Sequence, residues 1–214
     1  LGGTFSHIGG LNRLNFAMVD KITGLADQID FNAGGTVGKI AVYEEQNLAL
    51  IDGWFSQFGG KSRDGFAQVN LIDGTTTDFY PEFKIESFFP TKDSLTFISI
   101  HDVDGQNHGG VGVINHNKWE VLPWQHKFEN PSYTNIGFNA KLIDSILYIG
   151  GAFDKVDNLP IKFFVGININ TDSVFAIHNF DGQLYPLISS QDRLVTNDTL
   201  LFYKGWFNNI DGTS

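Results

Sequence analysis

The densest polar stretch of the chain is HDVDGQNH, from His101 to His108. Asp102 and Asp104 stand two apart beside the turn-forming Gly105, a spacing that lets two carboxylates converge on one hard cation, and calcium is the cation such a turn would hold. The spacing departs from the helix–loop–helix calcium loop, where glycine takes position six and a bidentate glutamate position twelve. The competing reading is a solvated turn. SQFGGKSR (56–63) and DKVDNLPI (154–161) fill the corresponding place in other copies of the repeat described below, and neither carries a metal motif. His101 and His108 flank the turn and are candidate binding residues. The other histidines, His7, His116, His126 and His178, are scattered without helical metal spacing.

Catalytic chemistry finds little support. With no cysteine, thiolate chemistry, disulfides and thiolate zinc sites are excluded. A serine nucleophile within Gly-x-Ser-x-Gly is absent, and a glycosidase would need paired carboxylates facing each other. Nothing in the sequence sets Asp52, Asp102 or Asp154 face to face. The expectation is a non-enzymatic protein without a resident cofactor, calcium aside, whose acids cap turns and keep the surface soluble. Aromatic side chains offer a third chemistry, contact with a glycan or a protein, for which Trp119 and Trp124 are the candidates. Trp54 and Trp206 each precede a repeated phenylalanine and are expected to pack between sheets.

What would position these residues is a repeat. Gly-x-Phe recurs as Gly3 and Phe5, Gly53 and Phe55, Gly151 and Phe153, and Gly205 and Phe207, in steps of 50, 98 and 54 residues. The long step hides a decayed copy at LTFISIHDVDGQNHGGVGVIN (95–115), with Ser99-Ile100-His101 at the motif. Each copy continues into an apolar strand that ends in Asp or Asn: FAMVD (16–20), FAQVN (66–70), VGVIN (111–115) and FVGIN (164–168). A period of about fifty residues lies in the range of propeller repeats.

Within one period four strands are expected, alternating or continuously apolar and separated by Gly, Asp, Asn and Ser turns. In the second copy they are 39–45, 48–55, 65–72 and 76–83; in the third, 84–90, 95–101, 111–117 and 119–124; in the fourth, 135–143, 147–153, 163–170 and 174–180. No stretch keeps a 3.6-residue period. The fold class is therefore all-β, a β-propeller-like array of four-stranded antiparallel blades. Gly150 and Gly151 are expected where backbones approach closely, and Phe153 where neighbouring sheets pack. The organisation read from the sequence is a partial blade (1–33), whole blades (38–83, 84–128 and 134–181) and a partial blade (184–214), an open arc of a longer chain.

Composition agrees. Twenty Phe and 24 Gly against 18% charged residues describe a glycine-punctuated β protein. A net charge of −10 with no basic cluster argues against nucleic acid, and no apolar run reaches the roughly 20 residues of a membrane-spanning helix.

LYIGGAFDKVDNLPIKFFVGININTDSV (147–174) resembles the delta-60 repeat β-propellers, whose pattern is an aromatic residue, Gly-Gly-x-Phe, a small polar turn, an apolar strand ending in Asp or Asn, and often Thr-Gly. GGTFSHIGGLNRLNFAMVDKITG (2–24) is similar to it down to DKITG. The third copy departs from the motif. The resemblance implies a structural or binding module of an extracellular, cell-surface or virion-surface assembly, phage-associated proteins included, with protein partners or surface glycans and no shared catalytic residues. A carbohydrate-binding or carbohydrate-active propeller with its site on one rim is the alternative.

Overall fold

A computed structural model describes residues 1–91, 95–102, 106, 108–130, 138–177, 194–196 and 201–203. These residues form an all-β protein of small antiparallel sheets, with one 3₁₀ turn at Glu44–Gln46 and no α-helix among them. The chain divides into two compact lobes, Leu1–Ser87 and Phe88–Ser214.

The first lobe opens with a hairpin of β1 (His7–Ile8) and β2 (Leu11–Asn12). A three-stranded sheet follows, built from β3 (Gly35–Tyr43), β4 (Leu48–Phe55) and β7 (Phe66–Asn70), with β4 central. Between β4 and β7 comes a second hairpin, β5 (Gln57–Phe58) and β6 (Lys61–Ser62). β4 and β7 read LALIDGWF and FAQVN because both faces are covered, so near-continuous apolar runs replace strict alternation. Phe16, Phe31 and Ala33 from the first repeat pack with Val37, Ile51, Phe55, Phe58 and Val69 from the second in one buried cluster. The rings of Phe16 and Phe31 meet edge to face at 4.8 Å, and those of Phe16 and Phe58 at 5.6 Å.

The third repeat supplies β8 (Ile85–Pro90), whose first three residues end the first lobe, and β9 (Leu95–Ile100), β10 (Gly109–Asn115) and β11 (Glu120–Glu129) of the second, paired in that order in one antiparallel sheet. Loss of Gly-Gly-x-Phe has not cost this repeat its sheet, since Ile100 and Ser99 are buried in the ladder opposite Gly110 and Val111. The fourth repeat forms a second sheet of β12 (Phe138–Ile143), β13 (Ile146–Gly151), β15 (Phe164–Asn168) and β16 (Ser173–Ala176). Its hairpin strand β14 (Lys155–Val156) crosses to the edge of β11, pairing Val156 with Phe128. Phe97, Val111 and Phe128 of the third repeat share a core with Leu147, Ile149, Phe153 and Val165 of the fourth. The short pair β17 (Leu194–Thr196) and β18 (Leu201–Tyr203) completes the described strands.

The repeat is a repeat of backbone geometry. The hairpin after Gly-x-Phe turns through two left-handed residues each time: Gly9 and Gly10 (φ 55° and 82°), Gly59 and Gly60 (52° and 80°), Asp157 and Asn158 (48° and 67°). Two adjacent residues at positive φ are the two-residue hairpin turn whose twist matches that of the flanking strands. The hairpin then closes through a third left-handed residue, Asn15, Gly65 or Phe163, whose amide donates to the carbonyl of Phe5, Phe55 or Phe153.

Three expectations are corrected. Residues 76–83 are not a strand. Only Thr76 bridges to Val69, because the guanidinium of Arg63 takes the Thr77 carbonyl at 2.7 Å and lies over the Tyr80 ring, holding the segment by a side chain instead of a ladder. Arg13 does the same in the first repeat, donating to the carbonyls of Asp27 and Gln28. Trp54 does not fill a space between sheets. It is 71% exposed, since strand alternation turns it away from the face that buries Phe55. Gly150 is not forced by crowding: a Cβ there would meet only ordinary contacts at 3.7 Å, whereas at Gly53 it would lie 2.2 Å from the Thr36 carbonyl oxygen. Gly205, Phe207 and Trp206 lie outside the described residues.

Gly59 and Gly60 separate conformational strain from crowding. A Cβ on Gly59 would lie 2.8 Å from the Thr76 amide nitrogen, whereas one on Gly60 meets nothing within 4 Å. Gly60→Ala is expected to cost about 1 kcal/mol, the left-handed penalty alone. Gly59→Ala is expected to cost about 3 kcal/mol, because the Thr76 backbone must also move. Urea denaturation of both variants checks this, and equal losses would show that crowding plays no part.

Candidate functional site

The strands that end in Asp or Asn do so for a local reason. Asp20, Asn70, Asn115 and Asn168 each turn a side-chain oxygen onto the amide two residues on, at 3.0, 2.8, 3.0 and 2.9 Å. This is the Asx-turn, in which a short polar side chain mimics a backbone carbonyl. Four residues after each stands a left-handed residue: Gly24 (φ 70°), Gly74 (75°), Trp119 (52°) and Asp172 (61°). The first two repeats fill that place with glycine. The third and fourth spend about 1–2 kcal/mol to put a side chain there.

Trp119 is thus a bulky aromatic residue held in a conformation that suits glycine. It is half-buried, its ring centroid 5.9 Å from that of His116 at an angle of 45°. Asn117 and Lys118 are exposed beside it, Lys118 reaching Glu120 at 3.5 Å. Trp124, the other candidate aromatic, belongs to the fabric of β11. It lies edge-on to Phe97 at 5.7 Å and to His126 at 4.4 Å, and its buried indole N–H meets no acceptor among the described residues.

Asp172 uses its left-handed place differently. The His126 ring, buried on β11, donates from Nε2 to Oδ1 of Asp172 at 3.0 Å and from Nδ1 to Oδ2 of Asp157 at 2.5 Å. Asp157 also accepts the Lys127 amide at 2.9 Å. Two carboxylates cannot donate to a ring between them, so only the doubly protonated imidazolium satisfies both contacts. Asp157 holds the first left-handed place of its hairpin, where the first two repeats have Gly9 and Gly59. Both acids of this clasp therefore replace glycines of the repeat, and together they fasten two turns of the fourth repeat to the third. An alignment of copies shows Gly-to-Asp changes at 157 and 172, but not that both meet a histidine 31 and 46 residues away.

The remaining predicted site residues lie elsewhere. His101 and His108 are half-buried at the feet of the β9–β10 hairpin, and Asp102 accepts the Gln106 amide at 3.2 Å, as a turn-capping acid does. Asp104 and Gly105 lie outside the described residues, and among the described residues no three His, Asp or Glu side chains are grouped to hold a metal. β10 separates this hairpin from the Trp119 turn, so His101, Asp102 and His108 do not join Trp119 in one site. No helix among the described residues is long and apolar enough to cross a membrane.

Comparison with known proteins finds no matching family model, curated protein or solved structure.

The clasp sets a sign for acid stability. Burial works to raise the pKa of Asp157, but the hydrogen bond from His126, the Lys127 amide and the imidazolium charge outweigh it and hold the carboxyl below its ordinary value. A depressed carboxyl contributes stability that is present above its unfolded value, about 3.9, and is lost as pH falls through the lower folded value. Asp157→Asn keeps the turn, because Asn accepts left-handed geometry, and removes the charge. The wild type should exceed Asp157→Asn in melting temperature at pH 6, with the gap closing below pH 4. A gap independent of pH would show that the carboxylate's charge does not hold the clasp.

Proposed function

We propose that this chain is a propeller-type array of delta-60-like repeats, and that it acts as a non-enzymatic binding module of an extracellular or virion-surface assembly. Three observations support the array. Two left-handed turns recur at fixed offsets, each core is shared between two consecutive repeats, and the third repeat keeps its sheet after losing the motif. Repeats that bury their faces only on neighbours are the logic of stacked architectures.

The observation that carries binding is Trp119. Strain kept at one copy of a repeated turn, where two other copies use glycine, is retained when the side chain is used. The turn offers an aromatic face beside the Asn117 amide and the Lys118 ammonium, on a rim fixed by two strands. A protein surface fits this chemistry. The second reading, a sugar-binding rim, draws on the same residues, since an indole face with an adjacent amide and ammonium also suits a pyranose ring and its hydroxyls.

Trp119→Gly separates use from packing. Relief of the left-handed strain should raise stability by about 1 kcal/mol, read from urea denaturation. The same variant should lose whatever binding the wild type shows on a panel of immobilised glycans and surface proteins. A loss of stability of about 1 kcal/mol or more would mark Trp119 as a packing residue and sink the reading.

A further inference from the structure

Three hairpins of one shape occur in the described residues, and two of them are docked. In the first lobe the Gly59 amide donates to the Phe31 carbonyl at 2.8 Å, and the Gly34 amide donates to the Gln57 carbonyl at 3.0 Å, so the hairpin of the second repeat lies along a strand-like segment of the first. Phe58 on that hairpin is fully buried, and Phe55 at its foot nearly so. In the second lobe the Asp157 amide donates to the Lys127 carbonyl at 2.9 Å and the Asp154 amide to the Glu129 carbonyl at 2.8 Å, while Val156 and Phe153 are fully buried. The two interfaces share one backbone donor, the amide at the first left-handed place of the turn, and the same two apolar positions.

The hairpin of β1 and β2 has the same turn, the same closing bond from Asn15 to Phe5, and the same internal bond, the Ala26 amide donating to Gly9 as the Thr76 amide donates to Gly59. It differs in what it leaves open. The Gly9 amide, counterpart of the Gly59 and Asp157 amides, has no acceptor among the described residues. Phe5 and Ile8, counterparts of Phe55 and Phe58, are only half-buried. An extended chain is what the hairpin meets in both docked cases, the Phe31–Gly34 segment in one and β11 in the other, because backbone groups exchanged edge to edge match a strand and not a helix.

We propose that the β1–β2 hairpin is a docking surface for one extended strand of another repeat of this kind, with a carbonyl on the Gly9 amide and an aromatic side chain against Ile8. The proposal rests on the reading of the chain as stacked repeats. The occupant's chemistry is that of DQIDFNAGG (27–35), whose Phe31 carbonyl takes the Gly59 amide, and of the Lys127–Glu129 segment, which presents Phe128 to Val156.

The probe is the synthetic peptide DQIDFNAGG, added to the full chain labelled with ¹⁵N and followed by amide shifts and hydrogen exchange. The Gly9 amide should shift saturably and exchange about sixfold more slowly once free peptide stands at five times its Kd. A scrambled peptide should do neither, and Ile8→Asp, placed at a half-exposed position, should abolish the response while the Gly59 amide keeps its protection. Gly59 in the free protein is the internal control. If Gly59 is protected and Gly9 does not respond to millimolar peptide, the docking proposal is overturned alone. If Gly59 exchanges as fast as Gly9 before any peptide is added, the contact between repeats is absent, and the stacked-repeat reading falls with it.

Discussion

The architecture depends on left-handed backbone at fixed places in the repeats: the tight hairpin after Gly-x-Phe in the first, second and fourth, and the fourth residue after the Asx that ends the following strand in the first four. Each reverses the chain within a few residues, so strands return antiparallel and in register without long loops. An L side chain at such a place costs about 1–2 kcal/mol, which limits the sequence there to Gly, Asn and Asp unless something compensates. In a strand buried on both faces, such as β4, the apolar pattern alone would leave register open, since a slip of one residue still buries apolar side chains. The turns remove that freedom, and the phenylalanines then fall on the face shared with the neighbouring repeat.

Two departures from glycine at these places, Asp157 and Asp172, give their turns a second use. Asp157 and Asp172 accept left-handed geometry and place carboxylates against His126, so the fourth repeat is fastened to the third by a charged clasp as well as by the Phe128–Phe153 contact at 4.9 Å. In the first lobe the corresponding turns are glycine, and the outer segments are held by Arg13 and Arg63 on backbone carbonyls. The fourth copy has Ile161 two residues before Phe163, where the first two have Arg13 before Asn15 and Arg63 before Gly65, and there an outer strand, Ser173–Ala176, pairs with Phe164–Asn168. An arginine that captures carbonyls and a strand that pairs with them are two answers to one requirement, that buried backbone groups find partners.

This explains what could be read from the sequence. The repeat, the β class and most strand positions are written in local pattern, and local pattern survives because turn chemistry and alternation act over a few residues. Residues 76–83 misled because TTDFYPEF has strand-favouring residues, whereas its fate is set by a guanidinium arriving from Arg63. For Trp54 parity overrides repeat position: beside buried Phe55 it must face the other way. The clasp at His126 is invisible because its histidine and its two aspartates come from different repeats. Trp119 stands out in the sequence as an aromatic in a degenerate copy, but its strain becomes visible only once the backbone shows that Gly24 and Gly74 stand at the same place.

The two lobes therefore join their repeats by different physics. In the first, the junction is an aromatic cluster of Phe16, Phe31, Phe55 and Phe58 closed by backbone hydrogen bonds, none of which changes charge with pH. In the second, a comparable apolar core is supplemented by a buried imidazolium between two carboxylates that reach solvent, Asp157 at 35% and Asp172 at 63% side-chain exposure. Apolar burial is indifferent to salt of ordinary concentration, while charges that open onto water are screened over about 8–10 Å. Because repeats that contact only their neighbours add their interface energies in series, proton and salt dependence in such an array belongs to particular junctions. At this junction it comes from two glycine-to-aspartate changes at turns, set against a histidine of the preceding repeat.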